Sequence, residues 1–131
     1  SMIPSATVKL SEKGEEYVAS ATGDGPVDAV FNAIDHCLGV TSRLEEYTIQ
    51  AVGSGKDAQG QVKLMLEIEG EIYVGKASST DIIEASALAY INAVNRSVLK
   101  KTGNGVNGAV SAAGVSAGGE SHESVASGKE S

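Results

Sequence analysis

Few residues in this chain of 131 carry catalytic chemistry. There are two histidines, His36 and His122, and one cysteine, Cys37. No His-x-His, His-Glu-x-x-His or Cys-x-x-Cys spacing occurs, so no transition-metal site is expected. His36 and Cys37 are neighbours in sequence. On a helix, adjacent side chains point about 100° apart, so they form no thiolate–imidazole pair, and Cys37 reads as a small core residue. The glycine-rich stretches "GDGP" (23–26) and "GSGKDAQG" (53–60) lack the spacing of phosphate-binding fingerprints. The acids Glu45, Glu46, Asp57, Glu67, Glu69 and Glu71 mostly alternate with apolar residues, as on a solvated sheet face. No catalytic residue and no metal ligand is assigned.

What remains is a pair of junctions where a strand pattern gives way to a helix pattern. A helix start presents N–H groups and partial positive charge, which suit a carboxylate. At the first junction, Gly23-Asp24-Gly25-Pro26, glycine permits close backbone approach, although a plain cap and turn has the same composition. Asp24 and Asp28 could face an ammonium group, and Val27, Leu44, Tyr47 and Ala51 are apolar neighbours in the pattern. Such a set suits a small zwitterion with an apolar side chain.

The elements that must position these residues come in two similar halves. "ATVKL" (6–10) and "EYVASAT" (16–22) alternate around a turn with Gly14, and read as a hairpin. Val27, Val30, Phe31, Ile34 and Leu38 then fall on one helix face, with Asp24 as the expected cap, Pro26 in the first turn and Gly39 as the stop. A strand over 44–54, a turn over 55–60 and a hairpin about Gly70 follow. The chain then enters a long helix that begins among Ser79, Thr80 and Asp81, with Glu84 placed as in a capping box. Ala85, Ala89 and Ala93 give that helix a thin side for close approach. An offset of 56 carries Gly14, Glu15, Tyr17, Val18 and Ala21 onto Gly70, Glu71, Tyr73, Val74 and Ala77. The expectation is an α+β fold of duplicated ββα and βββα units, related by a pseudo-two-fold axis, with helices packed on antiparallel sheets.

Residues 1–4 read as a lead-in, with Ser1-Met2 as a cloning scar, and 5–102 as the folded domain. Residues 103–131 are Gly, Ser and Ala with scattered charge and read as a flexible tail. The net charge of −7 argues against nucleic acid and anionic membrane as partners. No apolar run approaches the ~18 residues that span a bilayer, and no signal peptide is evident. The lone cysteine makes a reducing, cytoplasmic setting the simpler reading.

"GDGPVDAVFNAI" (23–34) and "YTIQAVGSGKDAQGQVKLMLEIEGEIYVGKASSTDIIEASALAYINAVNR" (47–96) resemble the C-terminal regulatory domain of the 2-isopropylmalate synthases, over about residues 5–101. The markers are the G-x-G-P-V-x-A junction, the G-x-D-A-Q-G turn and the D-I-I-x-A-S-x-x-A-Y-x-x-A-x-N helix. The resemblance implies a duplicated ββα/βββα domain that pairs in a homodimer and binds the feedback inhibitor L-leucine between its two units. It implies a separate TIM-barrel partner in the parent chain, which uses a divalent metal to condense acetyl-CoA with 2-oxoisovalerate. The present fragment should then have no catalytic activity and no cofactor of its own. Carried onto this sequence, the leucine pocket falls on Asp24, Gly25, Val27 and Asp28 at the first junction. It continues through Leu44, Tyr47 and Ala51 on the next strand, Ala58 and Gly60 in the turn, and Ser78 and Thr80 at the second junction. Two alternatives differ in ligand: isoleucine, as in the related citramalate synthases, or none, in a pure dimerisation module.

Overall fold

The computed structural model describes residues 3–102, 110–120 and 122–126. Strands β1 (Ser5–Glu12) and β2 (Glu15–Thr22) form a hairpin and lead into α1 (Pro26–Leu38). Strand β3 (Arg43–Val52), a single 3-10 turn (Gly55–Asp57), and the hairpin of β4 (Gln59–Ile68) and β5 (Glu71–Ser79) lead into α2 (Ile82–Thr102). Strands β6 (Val110–Glu120) and β7 (His122–Ala126) follow. One antiparallel sheet has the order β2-β1-β6-β7, and the other β3-β4-β5. The expected α+β class, with helices packed on antiparallel sheets, is what the chain forms.

The duplication is visible in backbone detail. Both hairpins turn on two residues of positive φ: Lys13 (55°) and Gly14 (81°) in the first, Glu69 (53°) and Gly70 (83°) in the second. Two successive positive φ angles mark the type I′ turn, whose twist suits a two-residue hairpin. The helices begin 56 residues apart, at Pro26 and Ile82. Their first backbone hydrogen bonds, Ala29 N–H to the Gly25 carbonyl and Ala85 N–H to the Asp81 carbonyl, are equivalent, both at 2.9 Å.

Each sheet buries the face its alternation marks out. Ala6, Val8 and Leu10 of β1 lie in one core with Val62, Leu64 and Leu66 of β4 and with Val30 and Ile34 of α1. Helix α2 contributes Ala85, Ala89 and Ala93, all fully buried. That thin side meets Gly75 of β5. A Cβ there would collide with the Ala89 carbonyl oxygen and lie 2.9 Å from the Ala93 nitrogen, so backbone packs directly on backbone. At the far end of α2, Lys100 pairs with Glu71 and Lys101 with Glu69 at 2.9 Å, complementing the negative helix end.

The expected flexible tail over 103–131 does not hold for its described parts. Strand β6 pairs with β1 from Ser5↔Gly118 to Glu12↔Val110, and β7 pairs with β6. Val110, Val115 and Ala117 are buried. Period-2 alternation is hard to see there because the register shifts between Lys9 and Leu10, which moves the inward positions from 110 and 112 to 115 and 117. The sheet edge of β1 supplies hydrogen bonds and apolar contact that composition alone cannot reveal. Residues 103–109, 121 and 127–131 of that segment, and Ser1-Met2, lie outside the described residues.

Gly75→Ala should cost about 1–3 kcal/mol through overpacking of α2 on β5. Urea midpoints of the parent and the variant check this, with Gly114→Ala as a strand control whose added Cβ would meet only the Lys9 Cβ, at 3.9 Å.

Candidate functional site

The start of α1 is built from close backbone contact. A Cβ on Gly23 would lie 2.5 Å from the Ala29 nitrogen, so only glycine lets the β2 end fold against the helix, and its N–H donates to the Pro4 carbonyl (3.1 Å). Asp24 is not the cap. The N-cap is Gly25, without a side-chain cap bond. Asp28, in the first turn, reaches back and accepts from the Asp24 N–H at 2.8 Å. A side chain at Gly25 would meet nothing within 4 Å, so the backbone is open to approach there. Asp24 and Asp28 are exposed, and Val27 packs against the core.

The start of α2 is closed by its own side chains. Asp81 Oδ1 accepts from the Ile83 N–H (2.8 Å) and the Glu84 N–H (3.4 Å). Ser79 Oγ accepts from the Asp81 N–H and donates to Glu84 Oε1 (2.8 Å). Of the three expected cap residues, Asp81 is the cap, Ser79 braces it, and Thr80 is exposed.

Sheet register gathers a second group of the expected residues. Ala51, Gly60 and Ser79 lie in one cross-strand row. Gly60 belongs to β4 rather than to a turn, and it lies under the Ile82 side chain at the start of α2. Ser78 lies in the adjacent row, opposite Gln61, and Ala58 caps the 3-10 turn just before β4. All of these except Gly60 and Ser79 are exposed.

Tyr47 joins the two groups. Its hydroxyl and the Ser86 hydroxyl of α2 are hydrogen-bonded at 2.6 Å. Its ring meets Phe31 of α1 edge-on, with centroids 6.0 Å apart. Phe31 in turn stacks on Tyr90 of α2 at 4.3 Å. One strand residue therefore touches both helices, one turn in from each start. Leu44, Tyr47, Ile49 and Ala51 share the inner face of β3, because a register shift between Leu44 and Glu46 changes the phase. Leu44 and Ile49 remain 43% and 50% exposed. Ile49, Phe31 and Ser86 were not among the residues expected at the site. The alternation Tyr47-x-Ile49-x-Ala51 carries a signal for Ile49; the partnership with Ser86 has none in sequence.

A polar cluster behind this face was also unforeseen. The Tyr90 hydroxyl donates to Asp35 Oδ1 at 2.7 Å. The Ser42 hydroxyl lies 2.5 Å from the Tyr90 oxygen and donates to Asp35 at 3.2 Å. Burial pushes the Asp35 carboxyl above the usual aspartate range, opposed by its bonds from Tyr90 and Ser42. Burial also pushes the Tyr90 phenol well up, with the Asp35 charge adding to it. Two surface hollows lie elsewhere, beside β5 and the C-terminal half of α2, of about 230 Å³ and 410 Å³. Among the described residues no group of three or more His, Cys, Asp or Glu could hold a metal ion, and no helix is long and apolar enough to cross a membrane.

The chain matches the family described as the LeuA allosteric (dimerisation) domain over residues 1–98. It belongs to that family. It is 71% identical over 101 residues to the 2-isopropylmalate synthase of Sediminispirochaeta smaragdinae, covering 77% of this chain and 20% of that protein. The corresponding proteins of Ruminiclostridium cellulolyticum and Aquifex aeolicus are 50% and 47% identical, over 74% and 76% of this chain and 19% of each relative. The LeuA domain described here thus spans about a fifth of the length of the curated relatives it matches. The family match agrees with the expected regulatory-domain resemblance, and it ends before β6 begins.

A carboxyl raised in the fold binds its proton more tightly there than in the unfolded chain. Asp35 therefore stabilises the fold below the ordinary aspartate pKa, and that contribution is lost as pH rises through the raised value. Asp35→Asn should flatten this part of the profile. Urea midpoints measured from pH 4 to pH 7 should fall more steeply for the parent than for the variant.

Proposed function

We propose that this LeuA domain binds L-leucine between its two units and is the feedback-inhibited regulatory domain of a 2-isopropylmalate synthase. The observation that carries the reading is Tyr47. It ties α1 to α2 while its neighbours Leu44 and Ile49 leave an apolar face half open. An isobutyl group placed along Leu44, Tyr47, Ile49 and Ala51 would cover that face and bear on both helices. Asp24 and Asp28 would take the ammonium group. The ligand carboxylate belongs at the open backbone of Gly25 and Val27 rather than at α2, whose first N–H groups already hold Asp81. Ala58, Gly60, Ser78 and Thr80 would form the rim at the second junction.

The relatives are named as 2-isopropylmalate synthases, which supports leucine over isoleucine as effector. Acyl transfer, with its divalent metal and acetyl-CoA, would belong to a TIM-barrel partner in a longer cytoplasmic chain, and this fragment would have no activity of its own. The family description supports pairing of two copies, and the net charge of −7 argues against a nucleic-acid or anionic-membrane partner. Leucine would act by preferring one arrangement of the two units. Allosteric couplings of this kind are typically ~1–3 kcal/mol.

Calorimetric titration with leucine, isoleucine and valine tests the proposal. Leucine should bind saturably, and valine, one methylene shorter, at least about tenfold more weakly. Tyr47→Ala should abolish the leucine heat. Binding of isoleucine alone would turn the reading to a citramalate-type effector, and silence for all three to a dimerisation module.

A further inference from the structure

The repeat explains the position of β6. The hairpin β1–β2 corresponds to β4–β5 at an offset of 56. In the second sheet the free edge of β4 is taken by β3; in the first, the same edge of β1 is taken by β6. The match extends to register. Leu44 opposes Leu66 and Tyr47 opposes Leu64. In the first sheet Ala112 opposes Leu10 and Val115 opposes Val8. One offset of 68 carries β3 onto β6, including the bulge: Glu45 is the extra residue in β3 and Ala113 in β6, and both sit across from equivalent partners. Chain order differs completely, since β3 precedes its hairpin and β6 follows both helices. A shared bulge at a shared register in two unrelated segments points to the accepting edge as the feature that dictates the geometry.

A second, independent feature marks the end of that edge. The carboxamide of Asn95, on α2, donates from Nδ2 to the Val110 carbonyl at 2.9 Å and accepts at Oδ1 from the Val110 N–H, also at 2.9 Å. These two bonds hold backbone, not a side chain, as a neighbouring strand would. Inner-face contact is correspondingly permissive: Val110, Val115 and Ala117 are small and buried.

We infer that the outer edge of β1 is a strand-acceptor site. It binds an extended segment with small apolar residues on alternate positions, closes on that segment's first backbone unit with Asn95, and is filled in cis by residues 110–120. The site recognises main chain chiefly, in the manner of strand addition to an open sheet edge. Its occupant completes the first unit as β3 completes the second. The β1 edge and Asn95 lie within the residues matched by the LeuA family, and the occupying segment lies beyond them.

Hydrogen exchange on the full chain tests this. Amides of 111–117, and those of β1 directed towards them, should exchange at least ~100-fold more slowly than unstructured chain. Val115→Asp should remove that protection while the β4–β5 hairpin keeps its own, and Ser111→Asp, at an exposed position, should change neither. A peptide of residues 110–120 added to the Val115→Asp chain should restore protection of β1 saturably, and a peptide carrying the same Asp should not. Unstructured exchange rates over 111–117 in the parent chain would overturn the inference, as would a Val115→Asp chain whose β1 amides are unchanged. The parent-chain measurement decides by itself should the variant unfold as a whole.

Discussion

A single helix is narrower than the sheet it covers. An α-helix with its side chains is about 10 Å across, whereas three strands about 4.8 Å apart, with their side chains, are wider. In each unit the helix therefore covers its hairpin first, and the third strand takes what cover remains from its own helix and from the other half. Strand β6 finds it: α2 pins Val110 through Asn95, and Val115 and Ala117 are buried. Strand β3 finds it only at Tyr47, between Phe31 and Ser86, and Leu44 and Ile49 stay half open. The two units are joined by this shortfall, and the open apolar face follows from its unequal repair.

The inequality has a residue-level cause. Ser86 of α2 stands where α1 has Val30, and Tyr47 stands where β6 has Val115, at the two offsets that relate the halves. The positions that hold a hydroxyl pair in one half hold two buried valines in the other. Both solutions fill the space, but only the hydroxyl pair is directional. Phe31, Tyr90 and Asp35 extend the same asymmetry between the helices, where a stacked aromatic pair leads to a carboxyl held out of water. A symmetric backbone thus carries an asymmetric interior, which is what a site for one small chiral molecule requires.

Much of this was legible in the chain. The offset that superposes the two hairpins predicted where both helices begin, because turn residues and helix starts are local and each is encoded within a few positions. At the first junction the sequence pattern points to Asp24 as the cap, whereas Gly25 caps and Asp28 reaches back to the Asp24 N–H. Competing carboxylates four residues apart are equivalent in sequence and distinct only in space. Ile49 is marked by its alternation with Tyr47 and Ala51, whereas Leu44 joins the same face only through the bulge at Glu45, which shifts the phase of β3.

The sequence by itself determined the hairpins, the helices, the duplication and the family resemblance, all of which rest on contacts between residues close along the chain or on repeated pattern. The tertiary structure alone decided what fills the edge of β1, which hydroxyl meets Tyr47, and why Asp35 lies beside Tyr90. Those pairings join residues 39 to 55 positions apart, or strands at opposite ends of the chain. A Gly/Ser/Ala segment has too little apolar surface to order itself. It becomes a strand because a sheet edge elsewhere supplies the hydrogen bonds it lacks, and no property of the segment taken alone records that edge.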